Sequence, residues 1–177
     1  NRTMKRVLFV LGHLSDTDIE WMIEQGHQQQ LTAGDYLVRQ GEPIEEIYIV
    51  LSGSLRIFNE EQPDVEVAQI ASGEIIGEMS FLDERPPSVS VVANEAVSVY
   101  AISLERVKQY MEANTRFAAR FYYSIALFLS DRLRKTTSRL GYGAPEDDAD
   151  EINMNVLNQV GKAGSRFSRM LSKFAES

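Results

Sequence analysis

The spacing of apolar residues changes twice along the chain, and the changes divide it into a helical start, a long stretch of strands and a helical end. Ser15 followed by Asp18 resembles a capping box with Asp in place of Glu, and it predicts a helix that continues to about Gln25. The residues of this helix that should face inward are Ile19, Met22 and Ile23. From His27 onward apolar residues recur at every second position, which is typical of strands.

Between His27 and Ser103, short apolar runs alternate with turn signals that contain Gly, Pro, Asn, Asp or Ser. The runs are residues 36–38, 47–51, 55–58, 65–70, 88–92 and 96–102. The turn signals are residues 34–35, 41–43, 52–54, 62–64, 72–74 and 93–95. Many short strands at near-regular spacing predict a mainly β fold with flanking helices, built as an antiparallel sandwich or barrel.

Helical spacing returns after Ser103, which is placed to cap a short helix over residues 104–111. Asn114 is placed to cap a long helix that runs from Thr115 to about Leu140. This helix carries two adjoining stripes, one with Ala118, Tyr122, Ile125, Leu129, Leu133 and Leu140, and one with Phe117, Phe121, Ser124 and Phe128. Two stripes predict one face against the barrel and a second face against a partner helix.

Composition narrows the class of protein. The 177 residues are 44% hydrophobic and 25% charged, which is ordinary for a globular protein with one sizeable core. Cysteine is absent, so disulfides, thiol nucleophiles and Cys-based metal sites are excluded. No apolar run reaches the length of a transmembrane helix, and the apolar run near the start is too short for a signal peptide. A cytoplasmic location is therefore expected.

The charge is distributed unevenly. The net charge is −8, and the excess of acids lies within residues 1–151. Residues 141–151, GYGAPEDDADE, combine Gly, Pro and acids and predict an acidic linker. Residues 152–177 contain four basic residues and Glu176, with apolar residues at steps of three and four, and predict a basic amphipathic helix. The predicted domain thus covers residues 1–140 and includes the long helix.

The stretch from Gly73 to Ala93, GEIIGEMSFLDERPPSVSVVA, carries the strongest functional signal. It predicts a strand end, a tight turn at Gly77, a short helix that begins at Glu78, a loop, and a strand of alternating Val. A helix N-terminus leaves backbone N–H groups without intrahelical partners, and such groups bind anions.

The order of these elements resembles the cyclic-nucleotide-binding domain family. The motifs that carry the resemblance, over roughly residues 8–140, are Ala33-Gly34-Asp35, Gln40-Gly41-Glu42, IYIVLSG at 47–53, Ser72-Gly73-Glu74 and Gly77-Glu78-Met79-Ser80. The resemblance implies an eight-stranded β-roll, of the double-stranded jelly-roll type, with a phosphate-binding cassette and a long C-terminal helix. The run FAARFYYSIALFLSDRLR is similar to the long helix of Crp/Fnr-type sensors, although no helix-turn-helix is recognisable.

The resemblance also implies roles for individual residues. Gly77 would allow close approach of the cyclic phosphate, Glu78 would accept a hydrogen bond from the ribose 2′-hydroxyl, and the N–H groups of Met79 and Ser80 would face the phosphate. The Arg that pairs with the phosphate in the family aligns with Pro87, which has neither charge nor N–H. Loss of this charge-assisted bond, about 1.5–3 kcal/mol, should weaken binding roughly ten- to a hundredfold. The candidate ligand-binding residues are Gly77, Glu78, Met79, Ser80, Arg85, Ser88 and Val89.

Three functions follow from the resemblance and from Pro87. The first is a regulatory sensing module that binds cAMP, cGMP or a related anionic nucleotide as ligand and signals through its C-terminal helix. In it, Arg134, Thr136 and Thr137 are candidates for contact with the base. The second is a degenerate domain that binds no nucleotide and serves dimerisation and protein–protein contacts. The third is a fragment of a Crp/Fnr-type transcription regulator, although the residues after Leu140 offer no recognition helix.

Enzymatic activity is not expected, and no catalytic residue, cofactor or metal ligand is predicted. His13 and His27 lack a companion nucleophile or metal-ligand spacing, and no Walker, dinucleotide or zinc motif occurs. The expected partners are a cyclic nucleotide, a second copy through the long helix, and a protein, with no clear nucleic-acid partner. The basic terminal helix could contact a membrane surface, a protein partner, or the acidic domain itself.

Overall fold

The computed structural model describes residues 13–139, and these residues form eight strands and four helices. The strands are β1 (His27–Leu31), β2 (Tyr36–Val38), β3 (Glu46–Ser52), β4 (Leu55–Asn59), β5 (Gln62–Ile70), β6 (Ile75–Ile76), β7 (Ser90–Ala93) and β8 (Val97–Ser103). The helices are α1 (Asp16–Gln25), α2 (Glu78–Asp83), α3 (Leu104–Ala113) and α4 (Thr115–Arg139). The predicted acidic linker and basic terminal helix lie outside the described residues.

The strands form two four-stranded sheets, with orders β1-β8-β3-β6 and β2-β7-β4-β5, and every pairing is antiparallel. In the first sheet Tyr48 of β3 lies opposite Ala101 of β8. In the second, Ile57 of β4 lies opposite Val91 of β7. This is the mainly β, eight-stranded arrangement predicted from the sequence, and the fold prediction is confirmed.

Strand β8 explains why its sequence reads as an unbroken apolar run. It lies between β1 and β3, and every residue from Val97 to Ile102 is buried. Its side chains enter two different clusters: Tyr100 and Ile102 pack towards the helices, whereas Val99 and Ala101 pack between the sheets. Each fully buried aliphatic side chain of this kind stabilises the fold by about 1.5–3 kcal/mol.

Helix α1 packs against β8 at a point where only glycine fits. The Ser15 side chain accepts from the Asp18 N–H, and the Asp18 carboxylate accepts from the Ser15 N–H, so the predicted capping box is present. At the other end, the Tyr100 hydroxyl donates to the carbonyls of Met22 and Ile23. A Cβ on Gly26 would lie 2.3 Å from the Tyr100 ring, so the close approach requires a glycine.

Asp18 joins α1 to α4 through an ion pair and to α3 through a hydrogen bond. Arg120 Nη2 of α4 donates to Asp18 Oδ2 at 2.9 Å, and the Tyr110 hydroxyl of α3 donates to Asp18 Oδ1 at 3.3 Å. Trp21 stacks on Tyr110 with ring centroids 4.0 Å apart. The three helices are therefore held together by both polar and aromatic contacts.

Two boundary predictions were wrong. β5 begins at Gln62 instead of residue 65, because it is an edge strand and an edge strand tolerates Pro63 without losing a ladder bond. β7 begins at Ser90 instead of residue 88. The long helix α4 begins directly after Asn114, whose carbonyl accepts from the Ala118 N–H, while the Asn114 side-chain amide donates to the carbonyl of Tyr110 at the end of α3.

The long helix α4 buries one of its two predicted stripes. Phe117, Phe121 and Ser124 are buried together with Ile125. Residues of the other stripe are divided, since Ala118 and Leu129 pack partly against the core, whereas Tyr122 and Leu133 are 51% and 67% exposed. Tyr123 is also 57% exposed, which leaves an apolar and aromatic surface on the side of α4 away from the core.

Candidate functional site

The site begins at a turn that the backbone can make only with glycine. Gly77 has φ +101° and precedes α2 directly. A Cβ at this position would lie 3.0 Å from the Glu46 carbonyl oxygen and 3.5 Å from Ile47 Cα. Both the positive φ and the contact with neighbouring backbone therefore select glycine, and together they fix where α2 starts relative to β3.

Helix α2 and the loop that follows it cover a cavity of about 300 Å³ between the two sheets. All seven candidate ligand-binding residues line this cavity: Gly77, Glu78, Met79, Ser80, Arg85, Ser88 and Val89. The lining also includes Pro87, at the position of the family's phosphate-binding Arg, and residues that were not candidates, namely Val38, Ile44, Ile57, Ile70, Ile75, Ile76, Asp83, Pro86 and Val91. The arrangement is a largely apolar chamber with polar groups gathered along one wall.

The acidic and basic side chains of that wall do not neutralise one another. Glu78 is 6% exposed, whereas Asp83 lies exposed at the end of α2. Arg85 is the one cation among the residues that line the cavity, and its side chain is exposed. An anionic ligand would therefore find a guanidinium at the mouth of the cavity and a carboxylate inside it.

The loop over the cavity is held by its own backbone contacts. The Ser80 hydroxyl donates to the Arg85 carbonyl at 3.1 Å, and the Arg85 N–H donates to Asp83 Oδ1 at 3.0 Å. Further along, the Pro87 carbonyl accepts from the Gly41 N–H at 2.9 Å. Pro87 is thus half-buried and anchored by its oxygen, at the position where the resemblance leads one to expect a phosphate-binding Arg.

The end of α2 faces a second, more polar cleft of about 630 Å³ that shares Ile44, Ser80 and Arg85 with the cavity. Lys108 Nζ of α3 lies 2.6 Å from Glu84 Oε1 across this cleft. The hydrogen bond and charge of Lys108 hold the pKa of the Glu84 carboxyl below its usual value. Both side chains are largely exposed, so the ion pair contributes little to stability.

Aromatic contacts connect α2 to α4. Phe81 is buried and meets Phe121 edge to face, with ring centroids 5.3 Å apart. Its ring also lies 6.0 Å from that of Tyr122, which is exposed. A movement of α2 would therefore displace side chains that are in contact with α4.

The two histidines lie apart from the cavity. His13 packs edge to face on Tyr123 at 5.3 Å, and His27 Nε2 is 3.8 Å from Glu46 Oε2. Within residues 13–139, no three His, Asp or Glu side chains are grouped so as to hold a metal ion. In the same part of the chain, no helix has the length and apolar character needed to cross a membrane.

Arg134 and Thr137, two of the residues proposed to contact a base, are not among the described residues that line the cavity. Arg134 is exposed, and the Thr137 hydroxyl donates to the Leu133 carbonyl within α4. The side chain of Thr136 lies outside the described residues. The apolar chamber itself was missed because its residues come from five strands and one loop, and only the register of the two sheets brings them together.

Comparison with known proteins places the site in context. Residues 28–114 match the sequence model of the family described as cyclic nucleotide-binding domain. The chain is 31% identical over 148 residues to the CRP-like protein Clp of Xanthomonas campestris, an alignment that covers 81% of this chain and 64% of Clp. It is 26% identical over 147 residues to the cAMP-activated global transcriptional regulator CRP of Escherichia coli O157:H7, with 81% and 68% covered.

Solved structures show the same fold. A cyclic nucleotide-binding domain from Methylobacillus flagellatus matches with a TM-score of 0.66 at 19% identity, over 82% of this chain and 88% of that one. The N-terminal domain of a transcriptional regulator from Streptomyces coelicolor matches with a TM-score of 0.61 at 23% identity, over 78% and 96%. The chain spans just under two thirds of the length of the Clp proteins that it matches.

Proposed function

We propose that this chain is a Crp/Fnr-like regulatory module that senses an anionic nucleotide, because its residues 28–114 match the sequence model of the cyclic nucleotide-binding domain family. The ligand is cAMP, cGMP or a related nucleotide held in the 300 Å³ cavity under α2. The nucleotide acts as a signal and is not chemically changed. The module works in the cytoplasm, where such a ligand is available.

The observation that carries this proposal is the meeting of all seven candidate residues on one cavity. Gly77 lets a phosphate approach the backbone, and the N–H groups of Met79 and Ser80 follow it in the first turn of α2. Glu78 is buried on the same wall and is suited to accept from a ribose hydroxyl. Ser88 and Val89 offer a hydroxyl and an apolar surface from the loop.

Pro87 makes the phosphate contact weaker than in a site with an Arg at this position. Arg85 is the cation that remains in the lining, and it lies at the exposed mouth, where water screens its charge. The apolar chamber and Glu78 then supply a larger share of the binding free energy. We expect an affinity below that of an Arg-containing site and a weaker dependence on salt, because fewer ionic contacts contribute to binding.

Binding is passed on through α4. The contact of Phe81 with Phe121 makes the long helix sensitive to the position of α2. The exposed side of α4, with Tyr122, Tyr123 and Leu133, is the surface on which we propose that a second copy packs. A ligand can shift such an assembly only if it binds the two states with different affinity.

The test is calorimetric titration of the full chain with cAMP first, since an Escherichia coli relative is cAMP-activated, and then with cGMP and cyclic dinucleotides. Pro87→Arg restores a cation at the family position and should tighten binding about ten- to a hundredfold. Pro86→Arg adds the same charge one residue earlier and is the matched control, for which we expect a smaller gain.

The outcomes separate the functions. Binding by the natural chain that tightens in Pro87→Arg supports the sensor. Binding by Pro87→Arg alone would contradict it in favour of a domain that has lost its ligand and is retained for dimerisation or protein contacts. Absence of binding by both the natural chain and Pro87→Arg would overturn the assignment of the site.

A further inference from the structure

Three residues outside the cavity form a closed ring of hydrogen bonds, through their side chains and two backbone N–H groups, behind the loop that covers it. The Ser90 hydroxyl donates to Glu60 Oε1 at 2.8 Å and accepts from the Gln40 N–H at 2.9 Å. The Glu60 N–H donates to Gln40 Oε1 at 2.8 Å, which completes the ring. The ring joins three separate pieces of chain: the turn after β2, the turn after β4, and the start of β7.

The ring lies immediately beside the loop of residues 84–89, of which Arg85, Pro86, Pro87, Ser88 and Val89 line the cavity. Ser90 is the next residue after the loop, and Gly41, next to Gln40, donates its N–H to the Pro87 carbonyl. The turn after β2 is thus attached to the loop at Pro87, and both turns are attached to Ser90, the residue that follows the loop. Its other end is attached to α2 through the Ser80 hydroxyl and the Arg85 carbonyl.

Ser90 is an unusual choice of residue for purely structural packing. It is 0% exposed and begins the buried run Ser-Val-Val-Ala of β7, where an apolar side chain would fill the space at no polar cost. A buried hydroxyl is destabilising unless it is hydrogen-bonded, and here the hydroxyl both donates and accepts. A hydroxyl at this buried position is therefore favourable only because of its two hydrogen bonds.

We propose that Ser90, Glu60 and Gln40 are positioning residues that hold the 84–89 loop in its binding geometry. A cationic side chain at position 87 would order the loop through the ligand, at the cost of the loop's conformational freedom on binding. In this chain, Pro87 and the ring fix the loop through protein contacts alone. The part of the proposal that concerns ligand affinity rests on the proposed function, whereas the part that concerns the loop does not.

Amide hydrogen exchange of the full chain, resolved by NMR, tests the loop directly. In Ser90→Ala the Gln40 and Gly41 amides should exchange about three- to tenfold faster, while amides of β8 such as Tyr100 stay unchanged. Glu60→Ala removes an exposed carboxylate without disturbing the core, and we expect a smaller acceleration at the same amides. Glu60→Gln keeps an oxygen that can accept from Ser90 and should behave like the natural chain.

Glu61→Ala is the matched control, since it removes the same charge from the same turn and its side chain is not part of the ring. The proposal is overturned if the Gly41 amide is unaffected in both Ser90→Ala and Glu60→Ala. It is equally overturned if the β8 amides accelerate as much as Gly41 in Glu60→Ala, because the ring would then serve global stability only.

Titration with cAMP supplies the second readout. We expect the dissociation constant to rise about three- to tenfold in Ser90→Ala and Glu60→Ala and to stay unchanged in Glu60→Gln and Glu61→Ala. An unchanged constant in all four variants contradicts the link to affinity. If the natural chain binds neither cAMP nor cGMP nor a cyclic dinucleotide, the proposed ligand class is wrong, and the exchange measurement still decides whether the ring positions the loop.

Discussion

Substitution of Gly77 by Ala should be more costly than the same substitution at another glycine with positive φ. Gly77 has φ +101°, and an added Cβ would lie 3.0 Å from the carbonyl oxygen of Glu46. Gly34 has φ +89°, but nothing lies within 4 Å of its would-be Cβ. Both variants store the left-handed backbone strain, about 1–2 kcal/mol, whereas only Gly77→Ala must also push α2 away from β3.

The additional displacement resembles overpacking, which costs about 1–3 kcal/mol in a well-packed interior. We therefore expect Gly77→Ala to lose about 2–5 kcal/mol of unfolding free energy and Gly34→Ala about 1–2 kcal/mol. For a chain of this size each kcal/mol lowers the melting temperature by about 2–4 °C.

Urea denaturation followed by circular dichroism measures both variants against the natural chain. Equal losses for Gly77→Ala and Gly34→Ala would refute the argument, because the close approach to β3 would then carry no cost. A loss confined to Gly77→Ala would instead show that backbone strain is negligible at Gly34.

Two further predictions concern the helices. Asp18→Asn should cost about 1.5–3 kcal/mol at neutral pH in urea denaturation. Burial raises the pKa of Asp18, but the hydrogen bonds and charge of Arg120 and the bonds from Ser15 outweigh it and hold the pKa below its ordinary value. The contribution is therefore present above the ordinary carboxyl pKa and is lost as pH falls through the lowered one, so the two chains should converge in acid. In analytical ultracentrifugation, Leu133→Asp on α4 should dissociate a dimer that Val65→Asp, at a 56% exposed residue of β5, leaves intact, and equal behaviour of the two would contradict the α4 interface.

Periodicity was sufficient to predict the class of fold, an antiparallel sandwich or barrel with flanking helices, whereas the eight-stranded β-roll was predicted from the family resemblance. The unbroken run of β8 and the alternating signals around it are local consequences of burial, and the capping box of α1 and the turn glycines are local consequences of backbone geometry. The start of β5 was misplaced because Pro63 reads as a turn unless one knows that the strand lies at an edge. Whether a strand is at an edge depends on sheet order, which no local pattern records.

The candidate site was predictable only in its contiguous part. Gly77 to Ser80 and Arg85 to Val89 could be read from one stretch of sequence, and they do line one cavity. The ring of Gln40, Glu60 and Ser90 could not, because its members are up to 50 residues apart and meet through the pairing of β4 with β7. The role of the cavity residues as ligand contacts and the role of the ring residues in positioning the loop stay predictions until the variants are measured.

The distribution of contacts around α2 indicates where a ligand-driven movement would occur. Its N-terminal end is fixed by Gly77 against β3, and the loop after it is attached at Pro87 and Ser90. Its C-terminal end faces α3 across a 630 Å³ cleft, where Glu84, the residue after α2, forms an ion pair with Lys108 that costs little to break. The Gly77 end of α2 and the loop attachments at Pro87 and Ser90 cannot move without strain. We therefore expect the C-terminal end of α2 to move, and Phe81 to transmit that movement to α4.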